Sequence, residues 1–412
     1  MKKMLVAVAG TCALTGMARA QSNVTLYGLI DAGVNYTTNV QTSKPANGAP
    51  VGGSQFAMLD GGLGGISGSR WGLKGTEDLG GGWKALFQLE SGMNINNGSL
   101  GQGGAMFGRQ AFVGLSGSPG TVTFGRQYDS MRDFVQSYAA TGQLSGVIGA
   151  RPDDLDNLAD SRRLNNVIKY TSPKFKGFTF GGLYSIGGIA GAPGRNQFWS
   201  VGMSYANGPF GFGSAYVNAR NPNLSYFGTN PNSSTSPTGN NMGFAGSATA
   251  AQYNPVYAGF ASAHTMQIFG VATTYGIGNF TLGVNYTNTR FDSLGDTATS
   301  GPNPYNYSGS AVFDSPEVNI QYQVSPALRL GAAYNYTHLK RANYANGATY
   351  NQYSAGADYA LSKRTVVYGI AVFQTASGTD SLNQSAVASI DGLTPSATSR
   401  QASFRVGLRH YF

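Results

Sequence analysis

The chain has 412 residues, 60 of them glycine, with 24 Tyr, 22 Phe and only 11% charged side chains. So low a charged fraction argues against an ordinary soluble protein, and the lone cysteine excludes a disulfide framework and a thiolate metal centre. The formal charge of +9 raises nucleic acid as a partner, but the arginines stand singly at alternating positions and the chain reads as exported, so no nucleic acid is expected.

The N-terminus reads as a secretory leader. Met1-Lys2-Lys3 is basic, Met4 to Met17 is mostly apolar and small, and Ala18-Arg19-Ala20 is an A-x-A cleavage site. The expectation is a signal peptide over 1–20 and one mature domain over 21–412. The apolar run is too short for a transmembrane anchor. A lipoprotein signal at Cys12 is the alternative, and Thr11 before the cysteine fits it poorly. Cleavage would leave 24 basic against 18 acidic side chains, a formal charge of +6. No later apolar run reaches the ~18 residues of a transmembrane helix. Tyr, Phe, Gly, Asn and Thr recur evenly without a linker, which favours one large β architecture.

Strands of about ten residues follow, separated by short turns and long polar loops in alternation. Val24 to Tyr36 is the first. In Ile66 to Glu77, Trp71 and Leu73 point one way and Arg70, Gly72, Lys74 and Thr76 the other. Trp83–Met93, Phe107–Leu115 and Thr121–Gln127 come next, then a long polar stretch from Tyr128 to Asn165. Val167–Thr171, Phe178–Ser185, Phe198–Tyr205, Phe210–Asn218, Thr265–Tyr275 and Phe280–Arg290 continue the series. Pro316–Val324, Leu328–His338, Tyr350–Leu361, Thr365–Gln374 and Ser403–Phe412 complete sixteen. In the last, Phe404, Val406, Leu408, His410 and Phe412 form a mainly apolar face opposite Ser403, Arg405, Gly407 and Arg409. Such a strand suits a wall between lipid and water. The expected fold is all-β, an antiparallel up-and-down transmembrane barrel whose last strand pairs with its first, because an open edge in lipid is too costly. Gln41–Gly65, Arg220–Ala263, Phe291–Phe313 and Ala376–Arg400 are expected as long outer loops. Tyr27, Tyr36, Trp83, Tyr170, Tyr184, Tyr205, Tyr275, Tyr286, Tyr322, Tyr336 and Tyr359, at strand ends, suit interfacial girdles.

Val24-Thr-Leu-Tyr-Gly-Leu-Ile-Asp-Ala-Gly-Val34, Ser69-Arg-Trp-Gly-Leu-Lys-Gly-Thr-Glu-Asp-Leu-Gly-Gly-Gly82, Phe107-Gly-Arg-Gln-Ala-Phe-Val-Gly-Leu115, Phe124-Gly-Arg-Gln127 and Gly407-Leu-Arg-His-Tyr-Phe412 together resemble the Gram-negative general porins, especially their beta-proteobacterial, Neisserial-type branch. The resemblance implies a 16-stranded homotrimeric barrel in the bacterial outer membrane, in contact with lipid and lipopolysaccharide. It implies a third loop folded into the lumen, and a terminal strand (Phe404, Val406, Leu408, His410, Phe412) read by the barrel-assembly machinery. It also implies a ladder of basic side chains facing an acidic third loop. Arg70, Arg109 and Arg126 sit in matching motifs, and either Arg162 or Arg163 precedes another. Leu29 stands where many enterobacterial relatives have a lysine. Arg151-Pro-Asp-Asp-Leu-Asp156 replaces their Pro-Glu-Phe-Gly motif, which makes Asp153, Asp154 and Asp156 candidates for the acidic wall.

The residues alone support part of this. Arg70 and Lys74 share a face opposite Trp71 and Leu73, and a charge on the lipid face near the midplane would cost about 2–4 kcal/mol. That face should look into water. Arg109 stands opposite Gln110 and Phe112, although Ala111, Val113 and Leu115 share its face. Solvated rim charges are the alternative for all of these arginines. His264, His338 and His410 lie apart, and no His-Glu-x-x-His, Gly-x-Ser-x-Gly or Cys pair occurs, so no enzyme, cofactor or metal is expected. Asp153, Asp154, Asp156 and Asp160 lack an EF-hand spacing. The reading is a general diffusion channel for small hydrophilic solutes and ions, with anions preferred. A substrate-specific channel, a plugged surface or adhesion protein and, third, an outer-membrane hydrolase with a Ser–His–carboxamide site assembled in space are the rivals.

Overall fold

A computed structural model describes residues 23–340 and 347–412; the expected leader over 1–20 lies outside the described residues. The strands are β1 (Asn23–Ser43), β2 (Val51–Asp60), β3 (Arg70–Gly80), β4 (Trp83–Gly92), β5 (Gln110–Gly117), β6 (Gly120–Gln127), β7 (Leu164–Thr171), β8 (Phe178–Ser185) and β9 (Phe198–Asn207). They continue as β10 (Phe210–Arg220), β11 (Ala263–Ile277), β12 (Phe280–Leu294), β13 (Ala311–Gln323), β14 (Leu328–Lys340), β15 (Thr349–Ala360), β16 (Thr365–Ser377) and β17 (Arg400–Tyr411).

Each strand pairs antiparallel with its neighbours, and β17 returns to β1 through Leu29↔Tyr411 to Thr37↔Ser403. The sheet is closed. β2 and β3 both pair with β1, β3 along Asn23–Leu29 and β2 along Ala32–Ser43. They are two halves of one barrel strand broken by the helical turn α1 (Gly61–Gly64), which Asp60 caps by accepting from Gly62 N at 2.8 Å. The barrel therefore has 16 strand positions. Closure satisfies every backbone edge internally, as a lipid environment demands.

Gln41–Gly65 was expected to be a loop, and most of it is strand. Gly52, Gly53 and Ser54 carry no apolar alternation, yet Phe56 and Met58 pair with Tyr36 and Val34 and stand exposed on the outer face. Elsewhere the strands outrun their expected ends: β12 reaches Leu294 and β13 starts at Ala311. Pro316 sits inside β13. It has no N–H to donate, and the ladder to β14 skips from Asp314↔His338 to Glu317↔Asn335.

The two faces differ as alternation requires. On β17 Phe404, Val406 and Leu408 are exposed outward, whereas Ser403 and Arg405 are buried inward. Outward aromatics pack in pairs beside the short turns: Phe178 on Tyr205 at 4.4 Å and Phe280 on Tyr322 at 4.5 Å. Tyr27 does not join them. It pairs with Gly72 on the inner face, and its hydroxyl donates to Glu90 at 2.9 Å. Tyr27 therefore belongs to the polar interior and not to a girdle.

Candidate functional site

The stretch after β6 packs against several barrel strands, its short helix on β8 to β10 and the later turns on β10 to β15. Asp129 caps α2 (Ser130–Phe134), accepting from Met131 N at 2.9 Å and Arg132 N at 3.2 Å. Its other oxygen accepts from Tyr226 Oη at 2.6 Å and Asn157 Nδ2 at 2.9 Å, so one carboxylate ties two loops together. Burial raises its pKa. The segment then follows the polar faces of the far strands. Ala140 N donates to Glu317 at 2.7 Å, Asn335 Nδ2 to Gly149 O at 3.1 Å and Gln352 Nε2 to Ala150 O at 2.7 Å. Glycines in β9 and β14 make the approach possible. A Cβ on Gly202 would strike Phe134, and one on Gly331 would strike Leu144.

Between this segment and the β1–β5 wall lies a water-accessible cavity of about 1360 Å³. Arg70, Arg109, Arg132, Arg162, Arg163, Arg329 and Arg409 line it, against Asp60, Asp153, Asp160 and Asp391. Among the described residues seven guanidiniums and four carboxylates line the space, while Glu90, Asp133, Asp154 and Asp358, outside this lining, pair with Arg70 and Arg109, Arg132, Arg162 and Arg329, so cations outnumber anions at the water-facing surface itself. No histidine lines it.

Arg70 projects inward from β3, with Glu90 at 3.7 Å and Gly68 O accepting at 3.2 Å. Arg109 lies one residue before β5, where strand alternation does not apply. From this bend its Nε donates inward to Glu90 at 2.8 Å, while Val113 and Leu115 face outward. Arg163 reaches the Tyr128 hydroxyl at 3.0 Å and Asp160 at 3.4 Å. Arg132 and Arg163 both lie over the Tyr128 ring, at 4.6 and 4.9 Å. Cation–π contact holds them side by side, and Asp133 at 3.5 Å from Arg132 and Asp160 beside Arg163 offset part of their charge.

Other expected residues sit elsewhere. Lys74 is on the inner face over the Tyr27 ring at 5.0 Å but outside this cavity. Arg126 is a bracket between loops, bonded to Gly108 O at 2.8 Å, Asn165 at 2.5 Å and Thr229 O at 2.9 Å. Asp154 and Asp156 are fully buried and do not reach the cavity. Asp154 accepts from Ala159 N at 2.8 Å and Ser161 N at 3.0 Å, and Asp156 pairs with Arg151 at 3.1 Å. Both carboxylates answer to the loop's own backbone and its cation. Of the three aspartates only Asp153 lines the cavity. Arg132, Arg329 and Arg409 were not singled out for the wall. Arg409 carried a visible signal, its place on the arginine face of the last strand.

Arg162 is buried among rings, 4.5 Å from Phe227. It donates to Asp154 O at 2.6 Å and to Tyr257 Oη. Near it, burial pushes the Asp153 carboxyl up to about 7, although Ser389 donates to it at 2.9 Å and Arg162 is close. Burial likewise pushes Asp154 up to about 6, and Asp391 is raised by burial and by both aspartates. Asp153 on the wall and Asp154 behind it gain protons as pH falls towards the mildly acidic range, and the wall becomes more positive. Lowering pH from about 8 to about 5.5 is expected to increase any anion preference of the cavity, and Asp153→Asn to flatten the change. Zero-current potentials at the two pH values check this; a preference that falls on acidification contradicts it.

Comparison with known proteins places this geometry. Residues 5–379 match the family described as Gram-negative porin. An outer membrane porin protein of Bordetella pertussis is 38% identical over 243 residues, 54% of this chain and 61% of that protein. Outer membrane porin protein 32 of Delftia acidovorans is 30% identical across 100% of both chains. A major outer membrane protein of Neisseria gonorrhoeae is 32% identical over 51% of this chain and 55% of its own length; the chain thus spans little more than half of the Bordetella and Neisseria relatives in these alignments. Among solved structures, the anion-selective porin from Comamonas acidovorans superposes with a TM-score of 0.66, at 22% identity, over 95% of this chain and 100% of that one. OmpT of Vibrio cholerae gives 0.61 at 16% identity, over 96% and 99%. These two likenesses are of fold. The family match and the full-length Delftia relative, with the closed 16-strand barrel, establish that the chain belongs to the Gram-negative porin family of the bacterial outer membrane.

Proposed function

We propose that the protein is a passive diffusion channel for small hydrophilic solutes and ions that passes anions more readily than cations. Family and fold are those of a channel rather than an enzyme. The observation that carries the anion preference is the excess of guanidiniums on the cavity wall. Arginine stays ionised at any physiological pH, so the excess persists. The segment Tyr128–Arg163 is the third loop folded into the lumen, and it narrows the path by lying on the inner faces of β8–β16. Its contacts with Glu317, Asn335 and Gln352 support this placement.

In this reading Arg70, Arg109, Arg132 and Arg163 form the basic side of the constriction, and Asp153 and Asp160 the acidic side. A field across water orients polar solutes and disfavours apolar ones. The named relatives of the outer membrane support the same setting, and a trimer form of Vibrio cholerae OmpT shares the fold, which favours a homotrimer. Arg70→Ala and Arg132→Ala are each expected to lower the anion preference in reversal-potential recordings. Both side chains remain partly exposed, at 24% and 39%, so neither truncation empties a core. Unchanged selectivity in both would remove them from the constriction.

A further inference from the structure

We infer that the cavity carries a binding shelf for flat aromatic carboxylates, built from Phe244 and Tyr253. The inference rests on the channel reading and adds a solute class to it.

The shelf is a short hairpin in the loop between β10 and β11. Phe244 N donates to Tyr253 O at 2.9 Å and Tyr253 N to Phe244 O at 3.0 Å, and the ladder continues at Ser247↔Ala250. The hairpin is fastened at its tip and flank. Lys44 N donates to Ser247 O at 2.8 Å, and Gln252 N to the Gln41 side chain at 2.6 Å. The rings are therefore held in place before any ligand arrives, which lowers the entropy lost on binding.

The two rings lie 5.8 Å apart at an interplanar angle of 29°. Both line the cavity, and both are more than half exposed, at 54% and 59%. The surrounding loop is mostly Gly, Asn, Ser, Thr and Ala. Two large apolar faces stand open to water in a polar setting, which is the mark of a surface awaiting a partner. A flat ring gains offset stacking on such a pair.

Charge selects the rest of the ligand. The cavity lining holds seven arginines against four aspartates among the described residues, and the charged groups nearest Tyr253 are Arg162, Asp153 and Asp391; burial favours the neutral form of both carboxyls, which leaves Arg162 to draw a carboxylate. Sugars fit less well. The amides flanking Tyr253 are already engaged: Gln252 donates to Gln384 at 3.1 Å and Asn254 to Met242 O at 2.9 Å.

The test is block of single channels in planar bilayers by benzoate, with cyclohexanecarboxylate and acetate as equally charged comparators, in chloride buffer. Benzoate is expected to block most strongly. Phe244→Ala and Tyr253→Ala should each weaken that block by about 5- to 10-fold. If chloride flows but benzoate blocks no better than cyclohexanecarboxylate, the shelf is overturned while the channel stands. Full block in both alanine variants, or stronger block by a neutral sugar, also overturns the shelf. A protein that conducts no chloride overturns the channel reading and the shelf with it.

Discussion

Arg405→Met is expected to destabilise the folded barrel by about 3–5 kcal/mol. Arg405 and Asp31 are both fully buried and pair at 3.2 Å. The guanidinium also donates to Tyr368 Oη at 2.7 Å, Asn35 at 2.7 Å and Leu59 O at 3.2 Å. Asp31 in turn accepts from Ile66 N at 3.2 Å and Ser67 N at 3.1 Å. One ion pair thus joins β1, β16 and β17 to the turn after α1, where the sheet closes on itself. Removing the cation strands a buried carboxylate, and this penalty exceeds the worth of the pair. The added substitution Asp31→Leu should recover much of the loss, because it removes the stranded charge. The midpoint of thermal unfolding in detergent, followed by loss of the fast-migrating folded band, reads both effects. An unchanged midpoint in Arg405→Met would show that this pair does not secure the seam.

Arg151→Ala should release the third loop without opening the barrel. Arg151 is 1% exposed and stands between Asp156 at 3.1 Å and Glu317 at 3.7 Å, with Ser315 O accepting at 2.9 Å. Glu317 also accepts from Ala140 N and from Asn285 and Asn319, at 2.7, 2.6 and 3.0 Å. These contacts fasten the loop to β12 and β13. Losing the guanidinium leaves two buried carboxylates facing each other, a penalty of about 3–5 kcal/mol that detachment of the loop relieves. The expected result is a larger and noisier unitary conductance. Glu317→Gln keeps an oxygen for Ala140 N and should act more weakly. Conductance and noise equal to the parent's would mean that this cluster does not hold the loop.

The barrel was legible where side chains alternate in size and polarity. Arg70, Gly72 and Lys74 against Trp71 and Leu73 fixed the facing of β3, and Phe404 to Phe412 did so for β17. The second strand was not legible along Gly52-Gly53-Ser54, where there is nothing to alternate; its pairing is set by the partner strand. Parity could not settle the facing of Arg109 because it precedes its strand, and a backbone bend, invisible in composition, turns it inward. The third loop hid most. Asp153, Asp154 and Asp156 look equivalent in sequence, but contacts with Ser389, Ser161 and Arg151 give them different places. Arg132 offered no periodic context, since α2 is only five residues long.

The most direct test of the account is the zero-current potential of the purified protein in a planar bilayer separating two concentrations of potassium chloride. A cavity wall with more guanidiniums than carboxylates predicts large stepwise conductance and a potential whose sign reports chloride moving ahead of potassium. A potential of the opposite sign, or a membrane that stays silent, would contradict it.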